Sequence, residues 1–73
     1  MNKTLEDVIK EIKKDIFEKD ELNLRSIDFD VMAWISVYEH GSESYKEEAK
    51  NWIITFAVNA GYLSSKKSLK GTA

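Results

Sequence analysis

The chain has one histidine, His40, with Glu39 beside it and Glu43 and Glu47 in the residues that follow. An imidazole and carboxylates at this spacing could bind a metal ion or exchange a proton with a substrate. A zinc site normally combines several histidine or cysteine ligands, and the chain has no cysteine. We therefore predict no metal site and no cofactor. We expect His40 to be exposed at the C-terminal end of a helix, where the helix dipole favours a positive charge.

Catalytic groups are equally sparse. General acid and base catalysis needs two titratable groups in a water-poor pocket that drives their pKa values apart, but most acids here fall on the polar positions of periodic segments. Apart from Ser36, the serines fall at predicted helix ends or in the C-terminal tail, and there is no second histidine for a catalytic triad. The glycines, at positions 41, 61 and 71, are too far apart to form a phosphate-binding loop. The sequence predicts no enzymatic activity and no small-molecule substrate.

Cationic and amide side chains near the C-terminus could bind nucleic acid. Lys46, Lys50 and Asn51 fall on the third predicted helix, and Lys66 and Lys67 follow it. Lysines that contact phosphates give binding that weakens as salt is added. If the protein binds DNA, these five residues are the candidate contacts.

The order of elements around those residues resembles the core of a winged-helix domain over roughly residues 27–67. Two helices joined by a short turn are followed by Gly61, Tyr62 and Leu63 and then by lysines. This resemblance implies that the helix over residues 44–61 reads DNA. Its first half, ESYKEEAKN, carries three acids where phosphates would lie, and the tail is short for a two-stranded wing. DNA binding is therefore the alternative function.

Three predicted helices position most of these residues. The first covers roughly residues 4–20: Thr4 is a suitable N-cap, and apolar residues follow at helical spacing, namely Leu5, Val8, Ile9, Ile12, Ile16 and Phe17. The second is ambiguous, because the run from Ile27 to Tyr38 fits both strand alternation and a helix. Its length favours a helix over roughly residues 27–40, capped by Ser26 or Asp28 and ended by Gly41.

The third helix, over residues 44–60, has the clearest pattern. Ser44 and Glu47 can form a capping box, and Gly61 can take the left-handed conformation that ends a helix, with Tyr62 and Leu63 folding back. We expect Trp52 and Phe56 to lie in the core. The fold prediction is thus an all-α, compact three-helix bundle.

Length and charge indicate one helical domain over residues 1–63 and a flexible Ser/Lys tail over residues 64–73. The domain holds all 13 acids but only eight of the 11 lysines and arginines, so it is acidic and the tail is basic. Neither a signal peptide nor an apolar membrane segment is evident, and cysteine is absent. We expect a cytoplasmic protein.

The second and third helices carry more apolar residues than one bundle can bury. Met32, Val37, Ile54 and Val58 fall outside the predicted core stripes, and we predict that they form a partner-binding surface. They could instead be covered by the first helix or the tail, or be ordinary surface residues. The expected function is a small acidic regulatory module that binds a protein, with a homodimer as one form. By analogy of size and composition alone, it could be a phage or mobile-element inhibitor of a host macromolecule.

Overall fold

A computed structural model describes residues 3–68 of the chain. It contains three α-helices and two short 3₁₀ helices, in the order α1 (Leu5–Phe17), 3₁₀ (Glu21–Asn23), α2 (Ser26–His40), α3 (Glu43–Ala60) and 3₁₀ (Lys66–Ser68). Within this part of the chain there is no strand, and the ambiguous segment over residues 27–38 is helical. The predicted all-α three-helix bundle is confirmed.

Thr4 begins α1 as predicted. Its hydroxyl oxygen accepts a hydrogen bond from the Asp7 amide at 3.1 Å, and the Asp7 carboxylate accepts one from the Thr4 amide at 3.3 Å. Hydrogen bonding to Thr4 also lowers the pKa of the Asp7 carboxyl. The helix ends at Phe17, earlier than predicted, because the Lys19 amide turns back to the Ile16 carbonyl at 3.1 Å and directs the chain towards α2.

Asp28 fixes the start of α2, although it is not the cap. Arg25 is the N-cap, so the predicted caps Ser26 and Asp28 were wrong. Asp28 is only 2% exposed, and its carboxylate accepts hydrogen bonds from the Arg25 amide at 2.8 Å and from the Lys19 ammonium at 2.9 and 3.0 Å. Burial opposes ionisation, but the bonds from Arg25 and Lys19 outweigh it and hold the pKa of Asp28 below its usual value.

A two-residue turn, Gly41 and Ser42, joins α2 to α3. Gly41 ends α2 as predicted, but in an extended conformation with φ −81°. A side chain there would collide with the Val37 carbonyl oxygen, so this turn needs glycine for space and not for a left-handed φ. The turn brings α2 and α3 together as a helical hairpin.

The predicted capping box at the start of α3 is wrong. The Ser42 carbonyl already accepts hydrogen bonds from the Tyr45 and Lys46 amides, each at 3.0 Å, so the helix begins at Glu43. Ser44 therefore lies inside the first turn, where its hydroxyl is 3.1 Å from that of Ser42.

The C-terminal end of α3 forms as predicted. Gly61 has φ 90°, and the amides of Tyr62 and Leu63 donate to the Ala57 carbonyl at 2.8 and 3.2 Å. Leu63 is buried, and the Tyr62 ring stacks on that of Phe56 with centroids 6.2 Å apart. Of the predicted flexible tail, residues 66–68 form a 3₁₀ helix that contacts α3, and residues 69–73 lie outside the described part.

The core combines residues from all three helices with one residue from the C-terminal segment. Its apolar members are 6% exposed or less: Leu5, Val8, Ile9 and Ile12 from α1, Val31 and Ile35 from α2, Ala49, Ile53, Ile54 and Ala57 from α3, and Leu63. Side-chain contacts also fasten α1 to its neighbours. The Lys3 ammonium bonds the Glu11 carboxylate at 2.9 Å and the Tyr62 carbonyl at 3.1 Å, and Lys13 pairs with Glu39 at 2.8 Å.

None of the helices among the described residues has the length and apolar character needed to cross a membrane.

Candidate partner-binding surface

The predicted partner surface is not a continuous exposed patch. Ile54 is only 4% exposed and belongs to the core, so the prediction that it faces away from the core was wrong. Val58 and Met32 are half-buried and pack against the core cluster, and Val37 is half-buried next to Gly41. The buried face of α3 is wide enough to include Ile54, which removes the centre of the predicted surface.

The core face of α3 is rotated from the predicted one. Ala49, Ile53 and Ala57, spaced four residues apart, are fully buried. Trp52, which we expected in the core, is 48% exposed, and Phe56 is half-buried. Small and aliphatic side chains therefore form the buried face of α3, and the large rings of Trp52 and Phe56 lie at its edge.

At that edge the two tryptophans of the chain meet. The Trp34 ring from α2 and the Trp52 ring from α3 are stacked, with centroids 5.6 Å apart and planes inclined by 10°. Stacked aromatic pairs contribute about 0.5 to 1.5 kcal/mol beyond the area that they bury. The pair therefore fixes the outer edge of the hairpin while leaving part of the Trp52 ring in solvent.

A groove of about 390 Å³ runs along the hairpin beside this pair, lined by Arg25, Ile27, Trp52, Thr55, Phe56, Asn59 and Ala60. A narrow pocket adjoins it, lined by Ile27, Asp30, Val31, Trp34, Trp52 and Phe56. We call the two together the tryptophan groove. Ile27 is 38% exposed, so apolar surface continues from Trp52 across to the start of α2.

Few charged side chains of the described residues border the tryptophan groove. Arg25 lies at the end formed by the start of α2 and the last turn of α3, and Asp30 lines the adjoining pocket. Glu48 is exposed and precedes Trp52 by one helical turn, which places it on the same face of α3 towards the opposite end. Thr55 and Asn59 supply neutral polar groups between these ends. The groove thus has an apolar centre and differently charged ends.

Lys46, Lys50 and Asn51, the candidate DNA contacts on α3, do not share one surface. Lys46 and Lys50 are one turn apart and half-buried, and Lys46 lies in a groove that residues of α1 line. Asn51 is exposed near Trp52 and Thr55, on another side of the helix. The structure therefore does not bring these three side chains together as one reading face.

The remaining candidate DNA contacts lie outside α3, and the lysine on α3 that lines a groove has both positive and negative neighbours. Lys66 and Lys67 are exposed on the second 3₁₀ helix. The groove around Lys46 contains Lys10 and Lys13, but also Glu6 and Glu39. Lys46 itself lies 3.9 Å from Glu43. Carboxylates beside these lysines would repel a phosphate backbone.

His40 is the last residue of α2 and is exposed, as predicted. Among residues 3–68, no group of three or more histidine or carboxylate side chains is arranged to hold a metal ion. Two tyrosines have perturbed ionisation away from the tryptophan groove. Burial and a hydrogen bond from its hydroxyl to Asp15 raise the pKa of Tyr62 to about 12. Burial and nearby carboxylates also raise the pKa of Tyr38.

Sequence patterns missed the tryptophan groove because they assigned the largest aromatic residues to the core. One signal could have found it. Trp34 lies two turns before Gly41 and Trp52 about three turns after it, so a short hairpin brings both residues to within about one helical turn of each other along the axis.

Comparison of the chain with protein-family models, curated proteins and solved structures finds no match.

Proposed function

We propose that this chain is a protein-interaction module that binds its partner through the tryptophan groove. One observation carries the proposal: the stacked Trp34 and Trp52 rings border an apolar groove in which Trp52 is 48% exposed and Ile27 38% exposed. Tryptophan is enriched among the residues that dominate binding energy at protein interfaces. A partner side chain that filled the groove would remove this apolar surface from water.

The surroundings of the groove favour a protein over other classes of partner. Thr55 and Asn59 offer hydrogen-bonding groups beside the apolar surface, which is the usual composition of an interface rim. Among residues 3–68, Arg25 is the single cation that lines it, too few for a phosphate backbone. A module of this kind acts by covering a surface of its partner, so we assign it a regulatory role.

The test is site-specific photocross-linking in cells that express the protein. A photoreactive residue at Thr55, in the tryptophan groove, should give covalent protein adducts, which Trp52→Ala should abolish. The matched control is a photoreactive residue at Ser36, which is exposed on α2 and does not line the groove. Equal adducts from both positions, or adducts that nuclease removes, would contradict the proposal.

A further inference from the structure

We propose that the tryptophan groove is covered by the same groove of a second copy, in a symmetric dimer that places Arg25 of each copy against Glu48 of the other. This inference rests on the proposed function and names the partner as the chain itself. A two-fold interface is self-complementary: each patch on one copy must fit the patch that the axis brings to it. Two properties of the tryptophan groove bear on this requirement: the positions of the charges at its ends and the position of its apolar surface.

The groove has a cation at one end and an anion beyond the other, while the Asp30 carboxylate lines the adjoining pocket and Arg25 lies 3.7 Å from Asp28 of its own chain. Arg25 lines one end together with Asn59 and Ala60. Glu48 lies on the same face of α3 as Trp52, beyond the other side of the tryptophan pair. Two grooves laid antiparallel would place opposite charges together at both ends, whereas two parallel grooves would place like charges together.

The spacing of these groups along α3 fixes where the two-fold axis must pass. At 1.5 Å per residue, Glu48 is about 6 Å from Trp52 in one direction. Asn59 and Ala60, at the level of Arg25, are about 11 to 12 Å from it in the other. The midpoint falls between Trp52 and Thr55. The axis therefore crosses the apolar part of the groove and brings the Trp52 rings of both copies to the centre of the interface, where the residues that dominate binding usually lie.

The groove contains part of the exposed apolar area of the chain, whereas the more exposed side chains of Phe17, Leu22, Phe29 and Tyr45 do not line it. Trp52 and Ile27, two of the large apolar side chains with substantial exposure, both line the tryptophan groove. A chain of 73 residues has a small core, and association of two copies is one way for a small domain to gain buried surface. Thr55, the residue of α3 at the axis, carries no charge.

A pair of charge substitutions at Thr55 tests the axis. Thr55→Glu and Thr55→Lys each place two like charges at the axis, so each variant alone should dimerise at least about tenfold more weakly than the unmodified chain. An equimolar mixture should recover dimerisation, because each mixed dimer pairs a glutamate with a lysine. Both substitutions suit an exposed helical position, and circular dichroism checks that each variant is folded. The matched controls, Ser36→Glu and Ser36→Lys, should dimerise like the unmodified chain.

Sedimentation equilibrium from about 1 µM to 1 mM measures these affinities, and a blue shift of tryptophan fluorescence with concentration should report burial of Trp52. A chain that stays monomeric throughout, or Thr55 variants that dimerise as tightly as the unmodified chain, would overturn the dimer. Glu48→Arg should weaken dimerisation, whereas Glu47→Arg, at the exposed neighbouring position, should not. Equal affinities for these two variants would overturn the predicted contact with Arg25.

The cross-linking experiment separates this inference from the proposed function. If the purified chain is monomeric while the photoreactive residue at Thr55 captures a different protein in cells, the proposed function stands and the dimer is wrong. If the purified chain is monomeric and Thr55 captures no protein, both proposals are wrong.

Discussion

Replacing Asp28 with alanine should destabilise the fold more than replacing any other acid on α2. The Asp28 carboxylate is 2% exposed and accepts hydrogen bonds from the Lys19 ammonium and the Arg25 amide. Through these bonds it joins the end of α1 to the start of α2. Asp28→Ala removes both connections at once.

The size of the effect follows from these contacts. A hydrogen bond to a charged group is worth about 1.5 to 3 kcal/mol, and a bond that caps the start of a helix about 1 kcal/mol. Loss of the buried charge offsets part of this sum, because burying a carboxylate is itself unfavourable, and Lys19, 30% exposed, can turn towards water. We expect a net loss of about 2 kcal/mol. For a domain of this size that lowers the melting temperature by about 8 to 16 °C.

The assay is thermal unfolding followed by circular dichroism at neutral pH. Asp30→Ala is the matched control, since Asp30 is exposed on the same helix, and its effect should stay within about 0.5 kcal/mol. A melting temperature for Asp28→Ala that matches that of Asp30→Ala would refute the reasoning. A double-mutant cycle with Lys19→Ala should show strong coupling between Lys19 and Asp28.

The pH dependence of the same variant provides an independent check. Because the pKa of Asp28 is lower in the folded state than its ordinary value of 3.8, the carboxylate stabilises the fold above that value. The stabilisation is lost as the pH falls through the folded-state pKa. The difference between the unmodified chain and Asp28→Ala should therefore be full at neutral pH and should shrink in acid.

Three further perturbations probe the packing around α3. Trp52→Ala should cost about 2 kcal/mol because half of the ring is already exposed, whereas Ile53→Ala, at a fully buried position, should cost more in the same urea titration. Tyr62→Phe should remove a tyrosine that ionises near pH 12 in an ultraviolet titration. Since the pKa of Tyr62 is raised by folding, its contribution to stability should persist below pH 10 and be lost as the pH rises through 12. Gly61→Ala should cost about 1 to 2 kcal/mol by thermal unfolding, because φ is 90° there although the space beside it is open.

Local signals predicted much of the fold. Thr4 begins α1 and Gly61 ends α3 through hydrogen bonds to residues close in sequence. Their roles could therefore be inferred from residue type and spacing. The predicted N-cap of α3, Ser44, was wrong because Ser42 and Ser44 are both suitable residue types. The path of the turn, which is not local information, selects Ser42.

The candidate site depended on information that is not local. The buried face of α3 is set by where Ala49, Ile53 and Ala57 meet the other helices, and hydrophobicity alone gave more weight to Trp52. Likewise, an aspartate such as Asp28 is expected on the surface. Its burial could not be predicted locally, because it depends on a contact with Lys19, nine positions earlier. When a helix is rotated by part of a turn, some residues predicted in the core become exposed and some predicted on the surface become buried. The predicted partner-binding residues therefore differ from the residues that line the tryptophan groove.

The contrast between the Gly41–Ser42 turn and the distant contacts of α1 bears on the order of folding. The hairpin of α2 and α3 closes across two residues, whereas the Lys3 ammonium meets the Tyr62 carbonyl across 59 positions of sequence. Closing a longer loop costs more entropy, so the hairpin should form in the folding transition state and α1 should dock later. Destabilising substitutions in the hairpin core should then slow folding, while removal of the Lys3 side chain should mainly accelerate unfolding.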